Sequence, residues 1–346
     1  MPDSGDAPAL VAICGTPSPL TQWSANLVHH LASRTWGPHV FVGANSEAEF
    51  LDALDRSQGR PVVLLAHVPA RALMDRIVRT FDRVLLVQDD PVDVIGYVRD
   101  ERQLKLWGAM SVASQSLTTL AYLRAKLKPP EVRSDIYGLD VGAAARAICA
   151  KLGMSPPEAP PGGGNDERVL SRVLAASAHA KAPGAYFANA DENEKDLIAT
   201  ACRYFDNFAA GRSGERFEWP IPMFLTTDKK GQPLWTHLGD EIDLTGPARI
   251  FVYGPFLHLP VGAWTLKATL QVAENLSGNA IQIDVTADER ALAKVKAQLP
   301  KEGEFAFEIN FAVDEPRDPM QLRIYSLEGA IEGKVRLESV ELTRVE

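Results

Sequence analysis

ALVAICGTPSPLTQWSANLVHHLAS (residues 9–33) passes from an apolar, β-branched run through a turn rich in proline and hydroxyl side chains into a helical pattern. A short run that is apolar at every position reads as a strand covered on both faces. The same kind of run recurs at HVFVGA (39–44), PVVLLAH (61–67) and RVLLVQ (83–88). Helical patterns lie between them at Leu20–Ser33, Glu47–Ser57 and Ala70–Phe81, and further ones follow at Val92–Leu106, Ser116–Lys126 and Val141–Leu152. Ser46 with Glu49 three residues later makes a capping box for the second helix. Strands alternating with helices predict an α/β domain over residues 1–154, a doubly wound parallel sheet with helices on both faces.

The chain has 346 residues, 36 Lys+Arg against 45 Asp+Glu, and 46% hydrophobic residues. At about 100–200 residues per domain this length predicts two domains or three. Cys14, Cys149 and Cys202 are far apart and form no CxxC pair, which excludes a disulfide framework and a thiolate zinc site built from sequence neighbours. A reducing, cytoplasmic setting is expected. The N-terminal MPDSGDAPALVAIC has no basic segment followed by a long apolar run, so no secretory signal is read there. No run reaches the ~18 apolar residues of a membrane-spanning helix. Residues 235–346 carry 11 basic and 18 acidic side chains, a balance that repels phosphate backbones and argues against a nucleic-acid partner.

SPPEAPPGGGND (155–166), with paired prolines and three consecutive glycines, is expected to be a linker. Helical patterns at Glu167–Lys181 and Glu192–Ala209 and the irregular WPIPMF (219–224) make 167–234 a bridging segment. From about Asp240 short strands separated by turns take over: IDL, ARIFVYG, WTLKATLQV, AIQIDVTA, FAFEINFAV, MQLRIYSL and GKVRLESVELTRV. Phe305, Phe307, Ile309 and Phe311 share one face at period two and are expected to line a core. Residues 235–346 are therefore predicted to be all-β, an antiparallel, jelly-roll-like sandwich.

In an open parallel sheet, ligands bind beyond the carboxyl ends of the strands. Gly15-Thr16-Pro17-Ser18, Gly43-Ala44-Asn45, His67 and Asp89-Asp90-Pro91 sit at those ends. Gly15 opens a strand-to-helix turn, but Leu20, Thr21 and Gln22 occupy the positions where GxxxxGK[ST] has its second glycine, lysine and hydroxyl. Pro17 and Pro19 remove two backbone donors. Asp89 and Asp90 read either as caps of the helix that Pro91 begins or as ligand-binding groups. His67 is the candidate acid–base residue, the alternative being a partly buried imidazole bonded to nearby backbone. No HExxH, GxSxG or paired-metal spacing is present, and no metal is expected.

VAICGTPSPLTQW (11–23) and RVLLVQDDPVDVIGYVRDE (83–101) resemble the two phosphate-binding segments, GxPRSGT[ST] and RDPxDxxxS, of bacterial sulfotransferases that use 3'-phosphoadenosine 5'-phosphosulfate (PAPS), and VGAAARAICAKLGM (141–154) resembles the helix closing that domain. The resemblance covers residues 9–154 and implies a P-loop sulfotransferase-like fold. It would assign cofactor contacts to Gly15, Thr16, Ser18, Thr21, Asp89, Asp90 and Tyr97. Ser18, however, stands where the family has arginine in the first motif; in the second, Asp89 replaces its arginine and Tyr97 its serine. Where an arginine becomes an aspartate, attraction turns into repulsion, and at ~4 Å each such pairing is worth about 4 kcal/mol in either direction at an effective dielectric of 20. Loss of PAPS binding is expected, with Arg99, Arg102 and Lys105 as the only nearby cations able to compensate.

LTGPARIFVYGPFLHLPVGAWTLKATLQV (244–272) resembles the carbohydrate-binding-module-like sandwiches attached to bacterial polysaccharide-biosynthesis enzymes. Its GPFLHLPVGAW reads as a strand, a tight turn at Pro260–Gly262 and a return strand. Sugar faces need exposed aromatic rings flanked by polar groups. The candidates are Tyr253, Phe256, Trp264 and Tyr325, with His258, Arg249 and Arg323 beside them; Trp264 and Tyr253 have core packing as their alternative. Three functions remain open. One is a glycan-binding accessory protein of surface polysaccharide assembly, partnered by a polysaccharide or its precursor and by other assembly proteins, with no cofactor. Another is a working PAPS-dependent sulfotransferase with His67 as base, and the last is a scaffold without a small ligand.

Overall fold

The computed structural model describes residues 9–138, 141–154, 185–209, 216–228, 230–231, 233–238 and 241–345. The linker reading at 155–166 and the helical pattern Glu167–Lys181 lie outside the described residues. The chain divides into two compact units, Met1–Asn189 and Ala190–Glu346.

In the first unit five strands, β1 (Leu10–Gly15), β2 (Val40–Gly43), β3 (Val62–Ala66), β4 (Arg83–Gln88) and β5 (Glu131–Arg133), form a parallel sheet in the order β2-β3-β1-β4-β5. Alternate residues Val11, Ile13, Val63, Leu65, Leu85 and Val87 pack under α1 (Pro19–Trp36) and α6 (Val141–Leu152). The opposite face, with Ala12, Cys14, Leu64 and Leu86 buried, lies on the side of α2 (Glu47–Ser57), α3 (Arg71–Thr80), α4 (Pro91–Arg102) and α5 (Leu106–Leu127). Helices on both faces explain why each strand is apolar throughout.

The capping box of α2 is formed: Ser46 Oγ accepts from Glu49 N (3.3 Å) and Glu49 accepts from Ser46 N (3.0 Å). Two expected helices are corrected. The one read at Val92–Leu106 ends at Arg102, where Gln103 turns left-handed (φ 52). The one read from Ser116 begins ten residues earlier, because small residues such as Ala109, Ala113 and Ser114 are buried on α5, and Ser116 and Thr119 return their hydroxyls to Ala113 O (2.9 Å) and Ser116 O (2.7 Å).

The second unit opens with α7 (Glu192–Ala209), followed by β6 (Arg216–Glu218), β7 (Leu225–Thr227), β8 (Pro233–His237), β9 (Ile242–Asp243), β10 (Ile250–Leu257), β11 (Gly262–Ala273), β12 (Ala280–Ala287), β13 (Arg290–Gln298), β14 (Gly303–Val313), β15 (Met320–Ser326) and β16 (Lys334–Val345). One antiparallel sheet runs β13-β12-β15-β10-β7-β8; the other runs β14-β11-β16-β6, with β9 beside β16. Each buries one face. Ile281, Ile283, Val285, Leu322 and Ile324 are fully buried on the first sheet, and Leu266, Ala268, Leu270 and Val272 on the second. This is the pattern of a β-sandwich.

The expected return strand after Pro260–Gly262 is present but does not pair with the strand before it, because β10 and β11 belong to different sheets. His258 and Leu259 are buried in the connection, and the Trp264 indole N–H holds Pro260 O at 2.9 Å. On β14 the even positions point to solvent; Ile309, Phe311 and Val313 are buried, Phe305 and Phe307 half-buried.

Candidate functional site

At the carboxyl end of the parallel sheet the first turn is closed on itself. Thr16 N donates to Val87 O (3.0 Å), and Thr16 Oγ1 accepts from Asp89 N (3.1 Å). Ser18 caps α1, its Oγ accepting from Thr21 N at 3.3 Å. Thr21 packs onto Gly15 so closely that a Cβ there would stand 2.4 Å from Thr21 Oγ1. Thr16, Ser18 and Thr21, which the sulfotransferase resemblance would turn toward a phosphosulfate, are buried and engaged within the protein. Asp90 caps α4 through Val92 N (2.9 Å), and Asp89 accepts from Asp90 N (3.0 Å). Tyr97 is half-buried on α4, and burial, reinforced by Glu101, raises its phenol.

His67 sits just past β3 with Nδ1 bonded to Gly15 O at 3.1 Å, an arrangement that puts the proton on Nδ1 and leaves Nε2 as the basic nitrogen. Burial lowers its pKa against the opposing pull of the Gly15 carbonyl, with Arg102 adding to the lowering. Asn45 Oδ1 accepts from the backbone N–H groups of His67 (3.1 Å) and Val68 (3.0 Å), fixing that loop. Arg99 is engaged elsewhere: it donates to Tyr186 O (3.2 Å) and lies 4.3 Å from the Phe187 ring centroid.

The sandwich offers a different surface. Strand register places Leu225, Tyr253, Arg323, Asp284 and Lys294 in one row across β7, β10, β15, β12 and β13. The neighbouring row carries Tyr325, Gln282 and Lys296. Because paired residues share a face and side chains alternate, these residues lie opposite the buried Ile281, Ile283, Leu322 and Ile324. They form the outer face of the six-stranded sheet.

Its centre is Arg323. The guanidinium is 3.5 Å from the Asp284 carboxylate and 5.7 Å from the Tyr325 ring centroid, so an ion pair and a cation–π contact both orient it. Asp284 is only 2% exposed. Tyr253 Oη, Arg323 Nε, Asp284 Oδ1 and Thr286 Oγ1 are shielded from solvent and have no hydrogen-bond partner among the described residues. Leaving a buried polar group unpaired costs about 1–3 kcal/mol, a cost the fold carries under this face. At one end the chain bulges between Pro255 and Leu257, with Phe256 left-handed (φ 63). The bulge sets the Phe256 ring edge-on to Tyr253, 6.2 Å between centroids.

Three expected glycan contacts are corrected. Trp264 is 1% exposed, with its ring 5.8 Å from Phe217 and its indole N–H on Pro260 O, which makes it a core residue. His258 is buried, its carbonyl accepts from the Tyr204 hydroxyl (2.8 Å), and burial pushes its imidazole down to about 3. Arg249 is likewise buried, clamping Asp243 O (2.6 Å) and Leu244 O (3.2 Å). Tyr253, Phe256, Arg323 and Tyr325 are brought together. Asp284, Gln282 and Thr286 were missed, although their alternation with Ile281, Ile283 and Val285 was visible in AIQIDVTA. Among the described residues no three His, Cys, Asp or Glu side chains gather to hold a metal ion, and no helix is long and apolar enough to cross a membrane.

No protein-family model matches the chain, and a search of curated proteins found no match. Among solved structures, the chain is similar to TmCBM61 in complex with β-1,4-galactotriose at 15% identity, covering 36% of this chain and 90% of that one, with a TM-score of 0.26. It is similar to a family 16 carbohydrate-binding module at 9% identity, covering 37% and 88%, with a TM-score of 0.22. The C-terminal CBM6 of LamC from Zobellia galactanivorans matches at 17% identity over 27% and 71%, with a TM-score of 0.20. Likeness at these TM-scores carries no argument about what this chain binds.

Proposed function

We propose that the chain is a glycan-binding accessory protein of bacterial surface polysaccharide assembly, acting in the cytoplasm through the outer face of its six-stranded sheet. The observation that carries this reading is the register that sets Tyr253, Tyr325, Arg323 and Gln282 on one outer face, with the Phe256 ring edge-on to Tyr253 and the Arg323 guanidinium over Tyr325. Sugars present apolar CH faces beside hydroxyls that both donate and accept, and a surface combining aromatic rings with amide, guanidinium and ammonium groups matches both features. In this reading the α/β unit is sulfotransferase-like in descent but takes no PAPS. Ser18 and Asp89 stand where cations are needed, and the hydroxyls of Thr16, Ser18 and Thr21 are engaged internally. A panel of bacterial polysaccharides tested against the wild type and Tyr253→Ala checks the proposal. Binding by the wild type that weakens about thirtyfold or more in the variant supports it, the scale of an aromatic hot spot. A wild type that retains no polysaccharide overturns it.

A second reading, sulfate transfer at the α/β unit, has one observation in its favour: His67 is held with Nδ1 on Gly15 O, which makes Nε2 the basic nitrogen, and Arg102 is near enough to act on it. Calorimetric titration with 3'-phosphoadenosine 5'-phosphate separates the two. No heat is expected, whereas micromolar binding would establish the second reading.

A further inference from the structure

The two outer faces of the sandwich differ in how their cations are matched by anions. On the strands of the six-stranded sheet, the outward positions carry three cations, Arg323, Lys294 and Lys296, against one anion, Asp284. That anion is buried and already opposed by Arg323. Neither lysine is in an ion pair among the described residues, and both are exposed. On the other sheet, register turns four cations outward, Lys267, Arg216, Arg336 and Lys334, against Glu308, Glu341, Glu218, Glu304 and Asp243, and Arg216, Arg336 and Lys334 are each in an ion pair with a carboxylate. The cationic face thus belongs to a chain with a net charge of -9. Asp288, Asp314, Glu315 and Asp318 lie in turns at one end of the strands. Arg290 is 3.8 Å from Asp314, and Arg317 is 3.5 Å from Glu315.

Lysines on an edge strand such as β13 discourage pairing with another chain. That role does not require a third cation in the middle of the sheet, nor the anchoring of Arg323 by Asp284 and Tyr325. Adjacent strands are about 4.8 Å apart, so the row from Tyr253 through Arg323 to Lys294 spans roughly 14 Å, with aromatic rings at one end and ammonium groups at the other. An oriented guanidinium beside two solvated lysines suits a ligand carrying carboxylates along its length.

Resting on the glycan reading above, we propose that this face takes an acidic polysaccharide, a polymer bearing carboxylate groups. The aromatic end holds sugar faces while Arg323, Lys294 and Lys296 meet the carboxylates.

The test uses the full chain with polygalacturonate, its methyl ester, which has the same backbone without the charge, and polyglutamate, a carboxylate polymer without sugar. The expected result is tightest binding of polygalacturonate, weakened by raising sodium chloride from 20 to 300 mM, and about tenfold weaker for Lys294→Ala/Lys296→Ala at low salt. The double variant, altered only at exposed positions, should keep the wild-type unfolding temperature. Equal, salt-independent binding of acid and ester overturns the acidic preference while leaving glycan binding intact. Equal binding of polyglutamate overturns it in favour of a general polyanion surface. No binding of any saccharide, with other polysaccharides also failing, removes the glycan reading and this proposal together.

Discussion

Tyr253 is the residue on which the proposed binding face turns. Its ring is half-exposed while its hydroxyl is buried without a partner, and burial raises the phenol pKa. Deleting an unpaired hydroxyl removes a cost, so Tyr253→Phe should leave thermal stability unchanged or raise it by up to about 1 kcal/mol and keep glycan binding, which Tyr253→Ala removes with the ring. Loss of stability in Tyr253→Phe, read by thermal unfolding, would contradict an unpaired hydroxyl. Phe256 fits the same logic, because a left-handed phenylalanine costs about 1–3 kcal/mol and such strain persists where surrounding structure holds it. His258 makes a pH prediction. With its folded pKa pushed down to about 3 from 6.5, the unfolded chain binds the extra proton between those values, so stability falls as pH drops through that window. The slope from this residue is up to about 1.4 kcal/mol per pH unit. Denaturant unfolding at pH 7, 6 and 5 should show a shallower loss for His258→Gln than for the wild type; equal slopes would count against it.

Among the elements, those with strong local signals were legible. The helices Glu47–Ser57 and Glu192–Ala209 and the strand AIQIDVTA have the ends the sequence suggested, because a capping box, an amphipathic period and a clean alternation mark them. β13, RALAKVKAQ, escaped notice because alanine and lysine are poor strand formers and an edge strand needs little apolar alternation. β6, β7 and β8 are too short or irregular to show a period. The turn after β1 was legible as a strand-to-helix connection, but its inward-facing hydroxyls depend on Val87 and Asp89, more than seventy residues away. Its packing also makes a prediction. Gly15→Ala forces a methyl into Thr21 and should destabilise the α/β unit by about 1–3 kcal/mol, read by chemical denaturation. A silent substitution would mean the turn is looser than described.

For the whole molecule, the parallel α/β region and the antiparallel region were both readable from composition and period, while the division at Asn189 was not, because the proline- and glycine-rich 155–166 is the stronger break signal and Pro183-Gly184 is a single turn dipeptide. The proposed binding face was half readable. Tyr253, Arg323 and Tyr325 stood out by residue type, but their alignment with Asp284 and Lys294 is a matter of register between strands distant in sequence. The placing of cations without an anion beside them on one face of an acidic chain has the same origin. Hydrogen–deuterium exchange of the full chain with and without a bound polysaccharide tests the central claim most directly. Protection is expected in peptides covering 250–257, 280–287 and 320–326, and none in those covering 10–21 and 83–97. Protection confined to the latter, or absent from the sheet while the polysaccharide is bound, would contradict the account.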